Sequence, residues 1–333
     1  MTSQEIADFL GAPHIGPDVE LTGVLPLEQA GATELCFAQE EITGEGGVVL
    51  CKAPIEGRTC IVVPDPKLAF IQVLEAAIVP DPPAPAIHPT AILEGQVGQD
   101  VYVGPYAVIG AGSVIADGAV IHAHVVIGQG VSIGEGTVLH PHCTVYDNSW
   151  IGPGCTLHAG TVIGSDGFSY HPTPEGPVKV PQVGRVVIHE GVELGALNAI
   201  DRAFLTETTI GARTGTDNMV HVGHNCSVGR MNLFAAQTVL GGSAVTGDGV
   251  VTGGQVAISD HAVAEDGVQV GGKGALTGYN KSGVYWGIPG VPIRKARRMT
   301  AALRRLPELT REFWALKRRV DAALGDEDES SGA

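Results

Sequence analysis

Aromatic residues are scarce in this chain of 333 residues, of which Phe, Tyr and Trp together make up 5%. Because large buried rings dominate many globular cores, their scarcity favours a core of aliphatic side chains. No apolar run is long enough to cross a bilayer as a helix, so no membrane span is predicted. The first residues, MTSQEIADFL, have neither a basic segment nor a long apolar one. We therefore expect no signal peptide and a cytoplasmic protein.

Paired cysteines and an excess of positive charge are lacking as well. The six cysteines are scattered without a CxxC pair, which is typical of small buried residues in a reducing compartment. A net charge of −16 argues against a general nucleic-acid binder. No Walker A or nucleophile-elbow motif occurs, so nucleotide hydrolysis and serine-hydrolase chemistry have no support.

Aliphatic residues, by contrast, recur at every sixth position over a long stretch. All twelve of the following are Ile, Leu or Val: Val97, Val103, Ile109, Ile115, Ile121, Ile127, Ile133, Leu139, Val145, Ile151, Leu157 and Ile163. A period of six matches neither an amphipathic helix nor an alternating strand, and it is the hexapeptide signature of a parallel β-helix. The sequence therefore predicts a mainly β fold, in which three hexads make one coil and residues three hexads apart lie on top of one another.

The chain outside these repeats predicts further segments. The register breaks after Ile163 and slips again near residue 203, and such irregularity often marks a functional site. The C-terminal segment has a helical pattern, with Pro307 dividing it or starting a second helix. The expected order is a small α/β domain at 1–80 with Ser3 as a possible N-cap, a Pro-rich linker at 81–86, a β-helix at 87–290 with an inserted loop at 165–186, basic helices at 291–325, and a disordered acidic tail at 326–333.

Positive charge is concentrated near the C-terminus. Residues 294–319 contain ten of the twenty Lys and Arg but only two acidic residues, Glu308 and Glu312. A basic helix on an acidic protein suggests an acidic macromolecular partner. The alternative is a solvated helix face with no partner.

His224 is the strongest candidate for catalysis because of its position in the repeat. It follows an in-register Val222, so it should project near a corner, and Gly242 lies three hexads further on. That spacing of one full coil should place a bare backbone amide beside the imidazole, followed by His261 on the next coil. A general base beside a backbone donor suits acyl transfer. Asp217, seven positions before His224, is a candidate to orient the ring.

Other interpretations of the histidines stay open. A histidine in a β-helix is more often a packed or surface residue than a catalyst, and a non-catalytic prism is one possibility. Three histidines of a left-handed β-helix can also bind zinc in γ-type carbonic anhydrases. The spacing here forms no convincing trio, so no metal is expected.

Several motifs resemble those of the UDP-3-O-acylglucosamine N-acyltransferases of lipid A biosynthesis, a family of hexapeptide-repeat acyltransferases. The order of the segments is similar too, and the resemblance covers nearly the whole chain. The motifs are IGSDGFSY at 163–170, VKVPQVGRVVI at 178–188, VELGALNAIDRA at 192–203, TDNMVHVGHN at 216–225 and SGVYWGIPGVP at 282–292.

The resemblance implies a left-handed β-helix in a homotrimer with active sites between subunits. It implies transfer of a 3-hydroxyacyl chain from acyl carrier protein to the 2-amine of a UDP-linked 3-O-acylglucosamine, without metal or cofactor. His224 would be the general base, Gly242 the oxyanion donor and His261 the second histidine. The implied substrate-binding residues are Phe37, Asp166, Phe168, Tyr170, Asp201, Arg202, Asn218, His221 and Asn225. The implied carrier-protein contacts are Arg294, Lys295, Arg297, Arg298, Arg304 and Arg305.

The N-terminal domain, expected to bind the nucleotide, departs from the family pattern. The family usually offers Phe-x-x-Asn-x-x-Tyr to hold uracil, and this chain keeps Phe37 but has Glu40 and Thr43 in the other two places. Losing one stacking ring and one amide would weaken uridine recognition by a few kcal/mol at most. An alternative function is therefore acylation of a different amino sugar or amine by the same chemistry.

Overall fold

The computed structural model describes residues 1–38, 47–286 and 293–328. Along the C-terminal helix, side chains are described for residues 298, 299 and 301–323. Contacts divide the chain into two compact units, Met1–Pro83 and Ala84–Ala333.

The first unit is a small α/β fold with a five-stranded sheet in the order β1-β5-β4-β3-β2. Only β1 is antiparallel to its neighbour. Helix α1 is capped by Thr2 rather than the expected Ser3: the Thr2 hydroxyl accepts from Glu5 N–H, while Ser3 is buried and bonded to Asp18. The elements are α1 Ser3–Leu10, β1 His14–Ile15, β2 Gly23–Val24, β3 Glu34–Phe37, β4 Val48–Cys51, β5 Thr59–Val62 and α2 Pro66–Ala77.

The second unit contains a parallel β-helix with three faces, each a sheet of short strands. Face 1 has eleven strands: β6 Ala86–Ile87, β9 Tyr102–Val103, β12 Val120–Ile121, β15 Val138–Leu139, β18 Thr156–Leu157, β23 Glu193–Leu194, β26 Gly215–Thr216, β29 Leu233–Phe234, β32 Val251–Thr252, β35 Gln269–Val270 and β38 Val284–Tyr285. Face 2 has ten: β7 Ile92–Leu93, β10 Val108–Ile109, β13 Val126–Ile127, β16 Thr144–Val145, β19 Val162–Asp166, β24 Ala199–Arg202, β27 His221–Val222, β30 Val239–Leu240, β33 Ala257–Ile258 and β36 Ala275–Leu276. Face 3 has ten: β8 Gln96–Val97, β11 Val114–Ile115, β14 Ser132–Ile133, β17 Trp150–Ile151, β22 Arg185–Ile188, β25 Glu207–Ile210, β28 Ser227–Val228, β31 Val245–Thr246, β34 Val263–Ala264 and β37 Tyr279–Asn280.

Hexad spacing accounts for this architecture. Ile109 pairs with Ile127 in parallel register, three hexads apart, as the repeat predicts. The second residue of nearly every strand points inward, and the isoleucines of the regular half are at most 2% exposed. Burying each such side chain stabilises the fold by about 1.5–3 kcal/mol. The predicted β-helix is confirmed.

Two corners of the β-helix matter for function. The histidine corner joins face 1 to face 2 and includes residues 122–125, 140–143, 158–161, 195–198 and 217–220. The insertion corner joins face 2 to face 3 and includes residues 146–149, 167–184, 203–206, 223–226, 241–244 and 259–262. Corners turn through a residue with positive φ, which Asn225 supplies at +60° and Ser243 at +58°.

The predicted loop at 165–186 is partly a β-hairpin in the structure. Strands β20 Tyr170–Thr173 and β21 Gly176–Lys179 pair antiparallel before the β-helix resumes at β22. The later slip adds four residues around the same corner at 203–206, because β24 and β25 on either side of it have four residues each where regular strands have two. Both irregularities therefore fall at the insertion corner, on neighbouring coils.

The C-terminal segment is one helix, α3 Ile293–Asp328, rather than several. Pro307 lies inside it and removes one backbone donor, yet the flanking Ala, Leu, Arg and Glu residues are strong helix formers. The helix also includes residues 326–328, which were expected in the tail; residues 329–333 lie outside the described part. No helix in the described residues is long and apolar enough to cross a bilayer.

Candidate active site at the insertion corner

His224 lies at the insertion corner, two residues after β27. Its side chain lies against two glycines of other coils, Gly242 one coil further along and Gly167 two coils earlier. A Cβ added at Gly167 would lie 2.5 Å from the His224 Cβ, and one added at Gly242 would lie 2.7 Å from the His224 Nε2. Both distances are shorter than real Cβ contacts, so only glycine at each place leaves room for the ring in this position.

Gly242 presents its backbone to the imidazole as the spacing of three hexads predicts. At other corners, the amide in the equivalent position is capped by an aspartate: Gln129 N–H donates to Asp147 Oδ1 over 2.7 Å, and Arg230 N–H donates to Asp248 Oδ1 over 2.7 Å. Asp260 holds the corresponding place one coil beyond Gly242, and its Oδ1 would lie 3.1 Å from a Cβ added at Gly242. Among the described residues, however, no hydrogen bond joins Asp260 to the Gly242 N–H. A free amide beside a histidine nitrogen is the arrangement that stabilises an oxyanion.

Asn225 determines which nitrogen of His224 carries the proton. Its Oδ1 accepts a hydrogen bond from Phe204 N–H over 3.0 Å and lies 3.0 Å from the His224 Nδ1. An amide oxygen can only accept, so Nδ1 must be the donor. In the neutral ring, Nε2 therefore keeps its lone pair, and Nε2 is the atom next to Gly242. His224 is thus placed to act as a base.

Changing Asn225 should test this orientation. We expect Asn225→Gly, which tolerates the positive φ, to lower kcat about tenfold because a hydrogen bond of about 1–2 kcal/mol no longer holds the ring. Asn225→Asp should keep the orientation, because a carboxylate oxygen also accepts from the His224 Nδ1 and from Phe204 N–H. Its kcat should therefore fall less than that of Asn225→Gly in initial-rate measurements.

Asn148→Gly is the matched control, since Asn148 has a φ of +63° at the same corner and no described contact with His224. Unchanged activity in Asn225→Gly, or an equal loss in Asn225→Gly and Asn225→Asp, would show that Asn225 does not orient the ring.

Asp201 forms a buried polar group near His224. Its side chain is 10% exposed; Ser165 Oγ donates to its Oδ1 over 2.9 Å, and His221 Nε2 lies 3.7 Å from its Oδ2. Burial raises the pKa of the Asp201 carboxyl, while the Ser165 hydrogen bond and the charges of His221 and His224 act in the opposite direction. The structure thus brings Asp201 and His221 together with His224.

His261 lies one coil beyond Gly242 on the same corner. Its N–H donates to the Gly242 carbonyl over 2.9 Å, and its side chain is 75% exposed, with Nε2 3.6 Å from the Asp260 Oδ2. The insertion corner therefore carries His224, Gly242 and His261 in successive coils, but no direct contact joins the two rings among the described residues.

The hairpin insertion and Arg202 border the site. Asp166 forms an ion pair with Lys179. Phe168 and Tyr170 are exposed, with ring centroids 5.2 Å apart. Arg202 Nε donates to Gly164 O over 2.7 Å, and its guanidinium also donates to Asp147 O over 3.1 Å. Arg202 thus fastens the base of the insertion to the previous coil.

Asp217 and Asn218 lie at the histidine corner instead, away from the corner of His224. The Asp217 carboxylate accepts from Asn218 N–H and from Ala236 N–H, and Asn218 Oδ1 accepts from Ala196 N–H. Asp217 precedes His224 by about one hexad, and one hexad is the distance between two neighbouring corners. The structure therefore does not bring Asp217 to the imidazole, and Asn225 orients the ring in its place.

The remaining predicted residues are outside this corner. Phe37 is half-buried in the first unit, 5.0 Å from Phe70 between ring centroids. Glu40 and Thr43 lie outside the described residues, as do the side chains of Arg294, Lys295 and Arg297. Arg298, Arg304 and Arg305 are exposed on α3.

Cys226 lies next to Asn225, but it is not a nucleophile candidate. It is buried, its Sγ donates to Gly241 O over 3.1 Å, and burial raises the pKa of its thiol to about 12. Because the thiolate is the reactive form, an acyl-cysteine intermediate has no support.

Gly167 and Ser165 are site residues that the repeat spacing does not predict. Both lie in the IGSDGFSY motif, so the signal was the motif itself. Their roles depend on the turn of the chain where the insertion leaves β19, and no repeat spacing could predict that turn.

Known proteins are similar to this chain over nearly its whole length. The family described as "Bacterial transferase hexapeptide (six repeats)" matches residues 95–129 and 130–165. The UDP-3-O-acylglucosamine N-acyltransferase of Parasynechococcus marenigrum is 40% identical over 325 residues, covering 92% of this chain and 94% of the relative. UDP-3-O-acylglucosamine N-acyltransferase 3 of Gloeobacter violaceus is 40% identical over 329 residues, covering 95% of each. The chain belongs to the UDP-3-O-acylglucosamine N-acyltransferase family. It is an acyltransferase, and the predicted resemblance is confirmed.

A solved structure supports the fold. The Arabidopsis UDP-N-acetylglucosamine acyltransferase has a TM-score of 0.56 and 23% identity, covering 64% of this chain and 76% of that one. The chain shares with it the left-handed parallel β-helix expected of hexapeptide repeats.

Proposed function

We propose that this enzyme transfers a 3-hydroxyacyl chain from acyl carrier protein to the 2-amine of a UDP-linked 3-O-acylglucosamine, in lipid A biosynthesis. The observation that carries the proposal is the close approach of the His224 Nε2 to Gly242, where an added Cβ would lie 2.7 Å from that nitrogen. Relatives with the printed name of that activity cover nearly the whole chain. The required chemistry needs a base and an oxyanion donor, which is what the corner supplies.

The proposed reaction is a single displacement. His224 Nε2 takes a proton from the attacking amine as its nitrogen bonds to the thioester carbonyl carbon. Gly242 N–H donates to the oxygen that becomes negative in the tetrahedral intermediate. The C–S bond then breaks, and the carrier thiolate leaves with the proton from the imidazolium. Amide and thiol are the products, and the buried Cys226 takes no part.

The proposed roles of the residues that bind the amine acceptor follow from their positions at the insertion corner. The buried Asp201, with His221 and Ser165, lies close enough to hold the amine and its neighbouring hydroxyl through hydrogen bonds. The exposed Phe168 and Tyr170 rings offer an apolar surface above the insertion corner. A groove at the insertion corner, lined by Asn148, Gly184 and Leu205 among others, is open to solvent. We propose that a second subunit of a homotrimer completes the cleft.

The direct test is product formation. The protein should convert 3-hydroxyacyl carrier protein and the UDP-amino sugar to an amide that mass spectrometry detects. The departures at Glu40 and Thr43 favour a second candidate, acylation of another amino sugar. Screening amine acceptors with and without UDP would separate the two, because the second candidate predicts turnover that does not require the nucleotide.

The basic face of α3 should bind the acidic carrier protein. We expect the triple variant R304Q/R311Q/R318Q to raise the KM for acyl carrier protein roughly tenfold at low salt and to leave kcat unchanged, since exposed charges steer association. The difference should shrink as salt is added.

The matched control is R213Q/R230Q/K273Q, which removes three exposed cations from the β-helix. Glutamine suits Arg213 and Lys273, because Gln237 and Gln255 have positive φ at equivalent places, and Arg230 is not among the residues of positive φ. An equal rise of KM in both triple variants would show that the net charge of the protein, and not α3, governs binding of the carrier protein.

A further inference from the structure

Asp201 is the one acidic residue that is buried among the described residues. Its carboxyl accepts from the Ser165 hydroxyl over 2.9 Å and lies 3.7 Å from the His221 Nε2. In the described part of the chain, no Lys or Arg forms an ion pair with it. A buried carboxylate normally has a cationic partner, because burying a charge without one is costly. The position of Asp201 therefore suits a cationic ligand.

Amide formation removes two protons from the nitrogen of the acceptor. The 2-amine of an amino sugar lies beside oxygen-bearing carbons and resembles an α-amino group, whose pKa is about 7.7–8.0. At neutral pH it is therefore largely an ammonium ion, which has no lone pair to attack a carbonyl. During the attack, one proton passes to His224, whose Nε2 can take only one. The other proton needs an acceptor of its own.

We propose that Asp201 binds the acceptor amine as an ammonium ion and takes its first proton, which His221 then passes to solvent. The inference rests on the proposed function, in that the acceptor is an amine. As the N–H bond breaks toward the carboxylate oxygen, its electron pair stays on nitrogen as the attacking lone pair. The carboxyl then gives the proton to His221 and becomes a carboxylate again. In sum, ammonium and thioester give amide, thiol and one released proton.

His221 suits the exit because it joins the buried carboxyl to the surface. Its side chain is 42% exposed, against 10% for Asp201, and an imidazole exchanges protons near neutral pH. The two residues lie on β24 and β27, which are neighbouring strands of face 2. A shift of about 0.5–1 Å turns their separation into a hydrogen bond. A proton can thus leave the carboxyl without passing through the His224 ring.

The surroundings make Asp201 a better proton acceptor than an exposed aspartate, because burial raises the pKa of its carboxyl. The charged and titratable groups around it are Asp166 on β19, Arg202 on β24, Arg185 on β22 with Glu207 on β25, His221 on β27, and His224 and Cys226 at the insertion corner. The carboxylates among them are ion-paired. Cys226 keeps its proton, because burial raises the pKa of its thiol to about 12. The two histidines are therefore the groups around Asp201 that can exchange a proton.

The pH dependence of Asp201→Asn tests the proposal. Asparagine can still accept from Ser165 but cannot take a proton, so the variant must bind the free amine. The fraction of free amine rises with pH below the pKa of the amine. We therefore expect the ratio of kcat/KM for the acceptor, unchanged protein over variant, to fall about tenfold per unit from about pH 6.5 to about pH 8. Both proteins need His224, so its own titration largely cancels in the ratio.

Asp248→Asn is the matched control, because it removes a carboxylate that accepts from the Arg230 N–H at another corner. Its ratio should not change with pH. If the ratio for Asp201→Asn is equally independent of pH, the proposal is overturned, and Asp201 serves only as a hydrogen-bond acceptor.

His221→Gln tests the exit by itself and leaves the Asp201 carboxylate in place. The KM for the acceptor should hold, while kcat should fall roughly 10- to 100-fold because the proton leaves slowly. Imidazole added to the buffer should restore most of the lost rate, since the position is open to solvent. A loss that imidazole does not reverse would overturn the part assigned to His221, even if Asp201→Asn fails to fold.

A lack of amide product from the unchanged protein would reject the proposed function instead, and binding would then decide the inference. Calorimetry would compare UDP-glucosamine with UDP-glucose, which differ in the amine. At about pH 6.5 the unchanged protein should prefer the amine about tenfold or more, and Asp201→Asn should lose that preference. Equal affinities for the two nucleotides in the unchanged protein would overturn the inference.

Discussion

His224→Ala is expected to lower acyl transfer about 10²- to 10⁴-fold, the range that a positioned general base contributes. Without the imidazole, no described group at the insertion corner has a lone pair beside Gly242 that can accept the proton of the attacking amine. The loss should appear in kcat more than in KM, because the base acts mainly in the transition state. Initial rates of amide formation, with both substrates varied, would measure it.

The matched control is His158→Ala. His158 also follows the second residue of a strand, at the histidine corner, where it stacks on His140 and bonds to Glu193. If corner histidines merely stabilise coils, the two variants should lose activity together with thermal stability. Full activity of His224→Ala would overturn the mechanism outright, since the mechanism assigns the proton transfer to that imidazole alone.

Gly242→Ala should reduce kcat by about 100-fold or more while the β-helix stays folded. The added Cβ would lie 2.7 Å from the His224 Nε2 and 3.1 Å from the Asp260 Oδ1, so the ring must move. A displacement of about 1 Å can cost a factor of about 10² in rate, and the methyl group also obstructs the oxyanion position. Circular dichroism and melting temperature would show that the fold persists.

Gly254→Ala separates this local effect from the general cost of losing a glycine. Gly254 holds the equivalent place in the GGQ corner that Gly242 holds in the GGS corner, and each precedes a residue of positive φ. A Cβ there meets only the Ala236 carbonyl at 3.5 Å, an ordinary contact. Equal activity of the two alanine variants would show that Gly242 has no special part in the reaction.

The repeat spacing predicted the β-helix, and it also predicted which glycine lies beside His224. Each coil is built from three hexads, so the backbone one full coil further along must stack, and Gly242 does stand beside His224. The same arithmetic shows why Asp217 was a poor candidate: about one hexad earlier is the previous corner. Pro307 was expected to divide the helical segment or to start a second helix, but strong helix formers on both sides keep α3 continuous.

The residue order by itself determined every property that depends on the hexapeptide period, namely the inward aliphatic stacks and the order of the corners. Its motifs also indicated the family. Only the tertiary structure decided how the insertion at 167–184 and the register slip near residue 203 pack against the regular coils. Gly167 backs the His224 ring, and Asn225 turns the Nε2 toward Gly242, because an insertion and a slip of register meet at one corner. Those contacts join residues with no fixed spacing, so they exist only once the chain has folded.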